Sequence, residues 1–150
     1  MTITEITSQI LKLNKVLIFS HNRPDGDTVG SATALRLALL KLGKTVDLVC
    51  DSDIPEKFYI VKGADCYLRT ESVTDTYDGF IAVDCSTSSM FNGAYNLFTK
   101  NKNLGKIISV WKFNDSNPWK DILSKLGIQE VKEAEKRNRF TPYIKLLKDY

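Results

Sequence analysis

The residues with the clearest capacity for chemistry lie in one short stretch, His21-Asn22-Arg23-Pro24-Asp25-Gly26-Asp27. It contains the only histidine of the sequence and two carboxylates separated by a single glycine. Carboxylate oxygens combined with an imidazole suit Mn²⁺ or Mg²⁺ and also accept Zn²⁺. His21, Asp25 and Asp27 are therefore candidate ligands of one or two divalent cations, although Pro-Asp-Gly-Asp is also typical of a turn that binds nothing.

The elements around this stretch predict a parallel sheet. Residues 15–20 form a short apolar run typical of a buried strand, residues 28–42 are typical of a helix that ends before Gly43, and residues 45–50 are again strand-like. A strand, a helix and a strand in this order form a βαβ unit with parallel strands. Further strands are predicted at residues 66–68, 79–84 and 105–110, and helices at residues 3–13 and, less clearly, within 86–100. The sequence thus predicts a three-layer α/β domain with a mostly parallel sheet of four or five strands.

This topology adds a fourth candidate ligand. Ligands of open parallel sheets bind outside the carboxyl ends of the strands. The strand at residues 79–84 ends in Asp84, and the strand at residues 15–20 is followed directly by His21. We therefore expect the Asp84 carboxylate to lie at the edge of the sheet that also holds His21, Asp25 and Asp27.

Three nearby residues are candidates for binding a phosphate. Gly30 and Ser31 are expected in the first turn of the helix that follows the histidine, where free backbone N–H groups receive anions. Arg23 could contact a phosphate, but a solvated turn residue is an equal interpretation.

The composition predicts one soluble globular domain, with 150 residues, 43% apolar and 26% charged. Residues 1–100 carry 10 Lys and Arg against 12 Asp and Glu, whereas residues 101–150 carry 11 against 6. This basic end is compatible with a phosphate-bearing ligand or with an ordinary solvated helical face. We expect residues 111–150 to form a divergent, mostly helical tail packed on the domain formed by residues 1–110.

The cysteines and the N-terminus indicate a cytoplasmic protein. Cys50, Cys66 and Cys85 are odd in number and form no C-x-x-C pair, which favours buried thiols in a reducing compartment. The first residues lack the features of a secretory signal, and no apolar run approaches the roughly 20 residues that span a bilayer. We therefore expect no membrane association.

The segment Ser20-His21-Asn22-Arg23-Pro24-Asp25-Gly26-Asp27-Thr28-Val29-Gly30-Ser31 resembles the first motif of the DHH phosphoesterase family. It is most similar to the bacterial branch with oligoribonuclease (nanoRNase) and adenosine-bisphosphate phosphatase activity, and the resemblance covers residues 1–110. It implies Mn²⁺-dependent hydrolysis, by a metal-activated water, of short oligonucleotides or nucleotide phosphates. It also implies that His21 and Asp25 ligate one metal, that Asp27 ligates the second, and that Asp84 bridges both, so that Asp27 and Asp84 are catalytic.

The sequence departs from this family after the last predicted strand. The family continues there with Asp-His-His, whereas this chain reads Ser109-Val110-Trp111-Lys112-Phe113-Asn114, and it has no second histidine. The glycine-rich substrate-binding domain of the family is also not recognisable. We therefore expect a truncated or degenerate phosphoesterase domain with weak or no activity alone. The alternatives are a non-catalytic metal- or nucleotide-binding module and a structural remnant that forms a homodimer.

Overall fold

The computed structural model describes residues 3–85, 88–100 and 107–110. Within them, three α-helices are α1 (Ile3–Lys12), α2 (Gly26–Lys41) and α3 (Asn92–Lys100). Five strands are β1 (Lys15–Ser20), β2 (Thr45–Cys50), β3 (Tyr67–Arg69), β4 (Gly79–Val83) and β5 (Ile107–Val110). Short 3-10 segments lie at Glu56–Phe58, Ala64–Cys66, Thr70–Ser72 and Ser88–Phe91.

The five strands form one sheet in the order β3-β2-β1-β4-β5, and every neighbouring pair is parallel. The strand β1 is central, and its last residue, Ser20, pairs with Val83 at the end of β4. All carboxyl ends therefore meet at one edge of the sheet, and the residues after β1 and β4 are neighbours there. The predicted α/β fold with a parallel sheet is confirmed.

Helices cover both faces of the sheet, because successive side chains of a strand point to opposite sides. On one face, Val16 and Ile18 of β1 pack in a cluster with residues of α1 and α2, among them Ile10 and Leu35. On the other face, Leu17 and Phe19 and their neighbours in β4 pack against the 3-10 segment before α3 and against α3 itself. These two cores give the three layers that the sequence predicted.

Two boundaries at the carboxyl edge differ from the predictions. The helix α2 begins at Gly26 instead of residue 28, because Asp25 caps it. The strand β4 ends at Val83, so Asp84 is the first residue beyond it. The predicted helical tail at residues 111–150 and the start of the fifth predicted strand at residues 105–106 lie outside the described residues.

The expectation that all three thiols are buried was wrong for one of them. Cys50 and Cys85 are buried, but Cys66 is exposed at the end of a 3-10 segment. No helix in the described parts of the chain is both long and apolar enough to cross a membrane.

Candidate metal centre

The turn between β1 and α2 is built around the Asp25 carboxylate. Its Oδ1 accepts hydrogen bonds from the backbone N–H groups of Asp27 and Thr28, both at 3.0 Å. Aspartate is among the best residues for this N-cap position, where it satisfies donors that the helix itself leaves free. Both N–H groups donate to Oδ1, so Oδ2 of the exposed Asp25 side chain is the oxygen more open to a cation, while Oδ1 is the oxygen that faces His21.

His21 lies beneath Asp25 with only 9% of its side chain exposed. Its Nε2 atom is 3.8 Å from Oδ1 of Asp25 and 3.9 Å from Oδ2 of Asp84. The Cys50 thiol donates to the His21 carbonyl oxygen at 3.3 Å, which fixes the backbone from which the ring projects. The histidine therefore stands between two carboxylates from distant parts of the sequence.

Asp84 reaches this position through an unusual backbone conformation. Its φ of 55° is the only positive φ at a non-glycine residue among the described parts of the chain. The left-handed region costs on the order of 1 kcal/mol for a residue with a Cβ, although aspartate tolerates it better than most. The preceding carbonyl oxygen, of Val83, accepts from Thr28 Oγ1 at 3.3 Å and from Cys85 Sγ at 3.2 Å. The backbone at Asp84 is thus held in a conformation that the strand would not adopt by itself.

The three side chains fit a single divalent cation. Ligand atoms of His21, Asp25 and Asp84 all lie within 4.8 Å of one another. The separations of 3.8 and 3.9 Å are too long for hydrogen bonds. Two ligand atoms that are each about 2.1 Å from one cation are separated by at most about 4.2 Å. The separations from Nε2 of His21 to Oδ1 of Asp25 and to Oδ2 of Asp84 both lie within this limit, so one cation could bridge the histidine and either carboxylate.

Cation binding requires one local change at the histidine. The backbone N–H of Arg23 donates to Nδ1 of His21 at 3.2 Å, which places the proton of the neutral ring on Nε2. Coordination through Nε2 needs a free electron pair on that atom and hence a proton on Nδ1. A cation held at Nε2 would therefore need the ring proton on Nδ1, in place of the hydrogen bond from the Arg23 N–H.

Residues outside the first motif hold the site in place. Ser52 Oγ donates to the Asn22 carbonyl at 2.6 Å, and the Asn22 N–H donates to the Met90 carbonyl at 2.6 Å. Behind them, Tyr67 Oη and Ser20 Oγ share a hydrogen bond of 2.7 Å. These contacts come from the turn after β2, from β3 and from the segment before α3. Sequence reasoning missed all of them, because no local pattern connects positions that are 30 to 70 residues apart.

The two thiols near the site are hydrogen-bond donors at neutral pH. Burial, and then the neighbouring Asp84 carboxylate, raise the pKa of the Cys85 thiol to about 12. Burial likewise raises the pKa of Cys50. Both groups therefore keep their protons and can donate to the carbonyls of Val83 and His21.

The remaining predicted site residues, Asp27, Arg23, Gly30 and Ser31, lie outside the cluster of three ligand groups. Asp27 is half-buried in the first turn of α2, and its carboxylate is not one of the three clustered ligand groups. The Arg23 side chain is exposed, and is therefore accessible to a ligand. Gly30 and Ser31 lie in the second turn of α2 and are buried, because the helix begins earlier than expected. Their N–H groups bond within the helix, so the prediction that they are free first-turn donors was wrong.

Comparison with known families supports this geometry. The family model of the DHH family N-terminal domain matches residues 15–110, which include β1 to β5 and all candidate ligands. The chain belongs to the DHH family. It is thus a domain of a phosphoesterase superfamily whose members typically depend on divalent metals, which agrees with the cluster of His21, Asp25 and Asp84.

Among solved structures, the fold is similar to that of an exopolyphosphatase-related protein from Bacteroides fragilis. The two chains share 16% sequence identity with a TM-score of 0.71, and the match covers 84% of this chain and 44% of the other. The sequence identity is low enough that the likeness establishes the fold alone. The chain spans less than half of that protein, and no curated protein matches it significantly in sequence.

Proposed function

We propose that this domain is a Mn²⁺-dependent phosphoesterase that acts on short oligonucleotides or nucleotide phosphates in the cytoplasm. The observation that carries the proposal is the convergence of His21, Asp25 and Asp84 within 4.8 Å at the carboxyl edge of the sheet. The motif from Ser20 to Ser31 resembles that of the branch with oligoribonuclease and adenosine-bisphosphate phosphatase activity, which supports the proposed substrate class.

In this proposal, different side chains bind the cation and the substrate. His21, Asp25 and Asp84 would hold the first cation. Asp27 is the second residue of α2, close in sequence to His21 and Asp25, and would hold a second cation. A bound Mn²⁺ polarises the phosphoester and makes a water molecule a better nucleophile. The exposed guanidinium of Arg23 pairs with a phosphate oxygen of the substrate.

A second candidate function is a module that binds one cation without catalysis. It is favoured by the position of Asp27, whose carboxylate lies outside the cluster of three ligand groups. The sequence also has no second histidine that could complete a two-metal centre. The number of cations bound therefore separates the two candidates.

The test is titration of the full 150-residue chain with Mn²⁺, followed by calorimetry and by electron paramagnetic resonance of free Mn²⁺. Hydrolysis is measured in parallel with a dinucleotide, adenosine 3′,5′-bisphosphate and inorganic polyphosphate. Two equivalents of Mn²⁺ with turnover of the dinucleotide or the bisphosphate support the phosphoesterase. One equivalent without turnover supports the binding module, and no binding overturns both. Turnover of polyphosphate alone would contradict the proposed substrate class.

Substitution then tests the cluster itself. Loss of a residue that contacts a metal ligand typically lowers metal affinity 10- to 100-fold. Because His21 and Asp84 are proposed as the ligands themselves, we expect His21→Ala and Asp84→Ala to lower Mn²⁺ affinity by more than about 100-fold. Asp53→Ala is the matched control, because Asp53 follows β2 and its side chain is 94% exposed. Equal Mn²⁺ affinity in all three variants and the unmodified chain would show that the ligands are assigned incorrectly.

A further inference from the structure

The metal centre combines side chains from two separate parts of the chain. His21 and Asp25 belong to the turn after β1, whereas Asp84 follows β4. The ladder between these strands ends at the pair Ser20 and Val83, so its backbone bonds do not reach Asp84. The sheet therefore brings His21 and Asp84 to neighbouring positions, and contacts beyond the ladder act on the orientation of the Asp84 peptide.

Thr28 contacts both parts at once. Its backbone N–H donates to Oδ1 of Asp25 at 3.0 Å, and its hydroxyl donates to the carbonyl oxygen of Val83 at 3.3 Å. The residue is fully buried, so water does not compete for either bond. The hydroxyl is thus a direct link from the turn that carries Asp25 to the peptide that precedes Asp84.

The Val83 carbonyl controls the direction of the Asp84 side chain. The torsion φ of Asp84 is measured from the carbonyl carbon of Val83, so a fixed Val83 peptide plane is the reference for its left-handed φ of 55°. The Cys85 thiol also donates to this oxygen, at 3.2 Å, but thiols are weak donors. The Thr28 hydroxyl is the better donor by chemical type, although its distance of 3.3 Å is long for a hydroxyl hydrogen bond.

We propose that Thr28 is a positioning residue of the metal centre. Its hydroxyl, acting through the Val83 carbonyl, holds the Asp84 carboxylate at the distance from His21 and Asp25 that one divalent cation requires. This inference rests on the proposed metal-binding function, because it assigns a role in that site. Thr28 does not contact the cation, and its effect appears as metal affinity.

The experiment compares two threonines of the same helix. Thr28→Val keeps the branched shape and the backbone N–H, and removes only the hydroxyl. Thr33→Val is the matched control, because Thr33 is equally buried but its hydroxyl donates to Val29 and Gly30 within α2, at 2.6 and 3.2 Å. Thr28→Ser keeps the hydroxyl at position 28 and removes only the methyl group. Mn²⁺ affinity and the thermal midpoint without metal are measured for each full-length variant.

We expect Thr28→Val to lower Mn²⁺ affinity about 10- to 100-fold, in the range found for outer partners of metal ligands. Thr33→Val should lose a similar amount of thermal stability but keep the affinity of the unmodified chain, and Thr28→Ser should recover most of the affinity. If Thr28→Val does not fold, the pair Thr28→Ala and Thr33→Ala replaces it.

Two results would overturn the inference in different ways. Equal Mn²⁺ affinity of Thr28→Val and the unmodified chain would refute the role of Thr28 and leave the metal centre intact. An equal loss of affinity in Thr28→Val and Thr33→Val would show a general effect of stability. Absence of Mn²⁺ binding by the unmodified chain would instead refute the proposed function, and this inference with it.

Discussion

Two aspartates at the carboxyl edge of the sheet have the same local task and different surroundings. Asp25 follows β1 and accepts two backbone N–H groups of α2. Asp51 follows β2 and accepts the N–H groups of Gly93 and Ala94 in α3, at 2.9 and 3.1 Å. Both carboxylates therefore bind the N-terminus of a helix, where a negative charge is favourable.

The two carboxylates differ in how their oxygens share the hydrogen bonds that they accept. At Asp51, Gly93 uses Oδ2, while Ala94 and the Thr70 hydroxyl use Oδ1, so both oxygens are occupied. At Asp25, one oxygen accepts both N–H groups, and a histidine lies 3.8 Å away. A capping aspartate is thus a structural residue when its oxygens are saturated, and a candidate ligand when one oxygen remains beside other donors. Replacement of aspartate by asparagine should therefore lower mainly the metal affinity at Asp25 and mainly the free energy of unfolding at Asp51.

The largest effect is expected for Asp25→Asn on metal affinity. The amide oxygen can replace Oδ1 as acceptor, and asparagine is as good an N-cap as aspartate. The amide nitrogen then takes the place of Oδ2 and cannot coordinate a cation. We expect Mn²⁺ affinity to fall by more than about 100-fold, while the free energy of unfolding without metal stays within about 0.5 kcal/mol. Calorimetric titration and urea unfolding measure both, and a large loss of stability would contradict the separation of roles.

Asp51→Asn should show the reverse. Either orientation of the amide places its nitrogen against a backbone N–H, of Gly93 or of Ala94, and leaves that donor without an acceptor. Loss of a partner by such a part-buried donor costs about 1–3 kcal/mol. We expect urea unfolding to show this loss, with Mn²⁺ affinity changed by less than about threefold relative to the unmodified chain. A loss of Mn²⁺ affinity as large as that of Asp25→Asn would show that Asp51 also belongs to the metal centre.

A smaller effect is expected at Gly93, which lies against the Asp51 carboxylate. Glycine to alanine in a helix usually increases stability by up to about 1 kcal/mol. Here an added Cβ would lie 2.6 Å from Oδ1 of Asp51, which is too close. We expect Gly93→Ala to lower the free energy of unfolding by about 1 kcal/mol, as overpacking does.

The double substitution Asp51→Ala with Gly93→Ala provides the control for this prediction. Without the carboxylate the Cβ has space, so adding Gly93→Ala to Asp51→Ala should no longer be destabilising. Additive losses in the double-mutant cycle would exclude the contact between the two residues as the cause.

The sequence predicted more of the fold than of the centre. The apolar run before His21 and the acid-terminated run at residues 79–84 were enough to predict parallel strands whose carboxyl ends share one edge of the sheet, because strand pattern follows from local composition. The strand order, which makes β1 and β4 neighbours, came only from the structure. The first motif also identified the family correctly. The start of α2 was predicted two residues late, because Pro-Asp-Gly-Asp is equally typical of a turn, and only the two N–H bonds to Asp25 show where the helix begins.

The residue types of the candidate ligands and the edge of the sheet at which they meet follow from the sequence. Which of them come together depends on tertiary contacts: His21, Asp25 and Asp84 form a cluster, and the Asp27 carboxylate is not part of it. The physical reason is that ligand distances depend on contacts between residues far apart in the chain. The bond from Thr28 to the Val83 carbonyl spans 55 residues and is followed by a left-handed φ at Asp84. Neither follows from the local sequence, since aspartate tolerates the left-handed region better than most residues but adopts it at few positions.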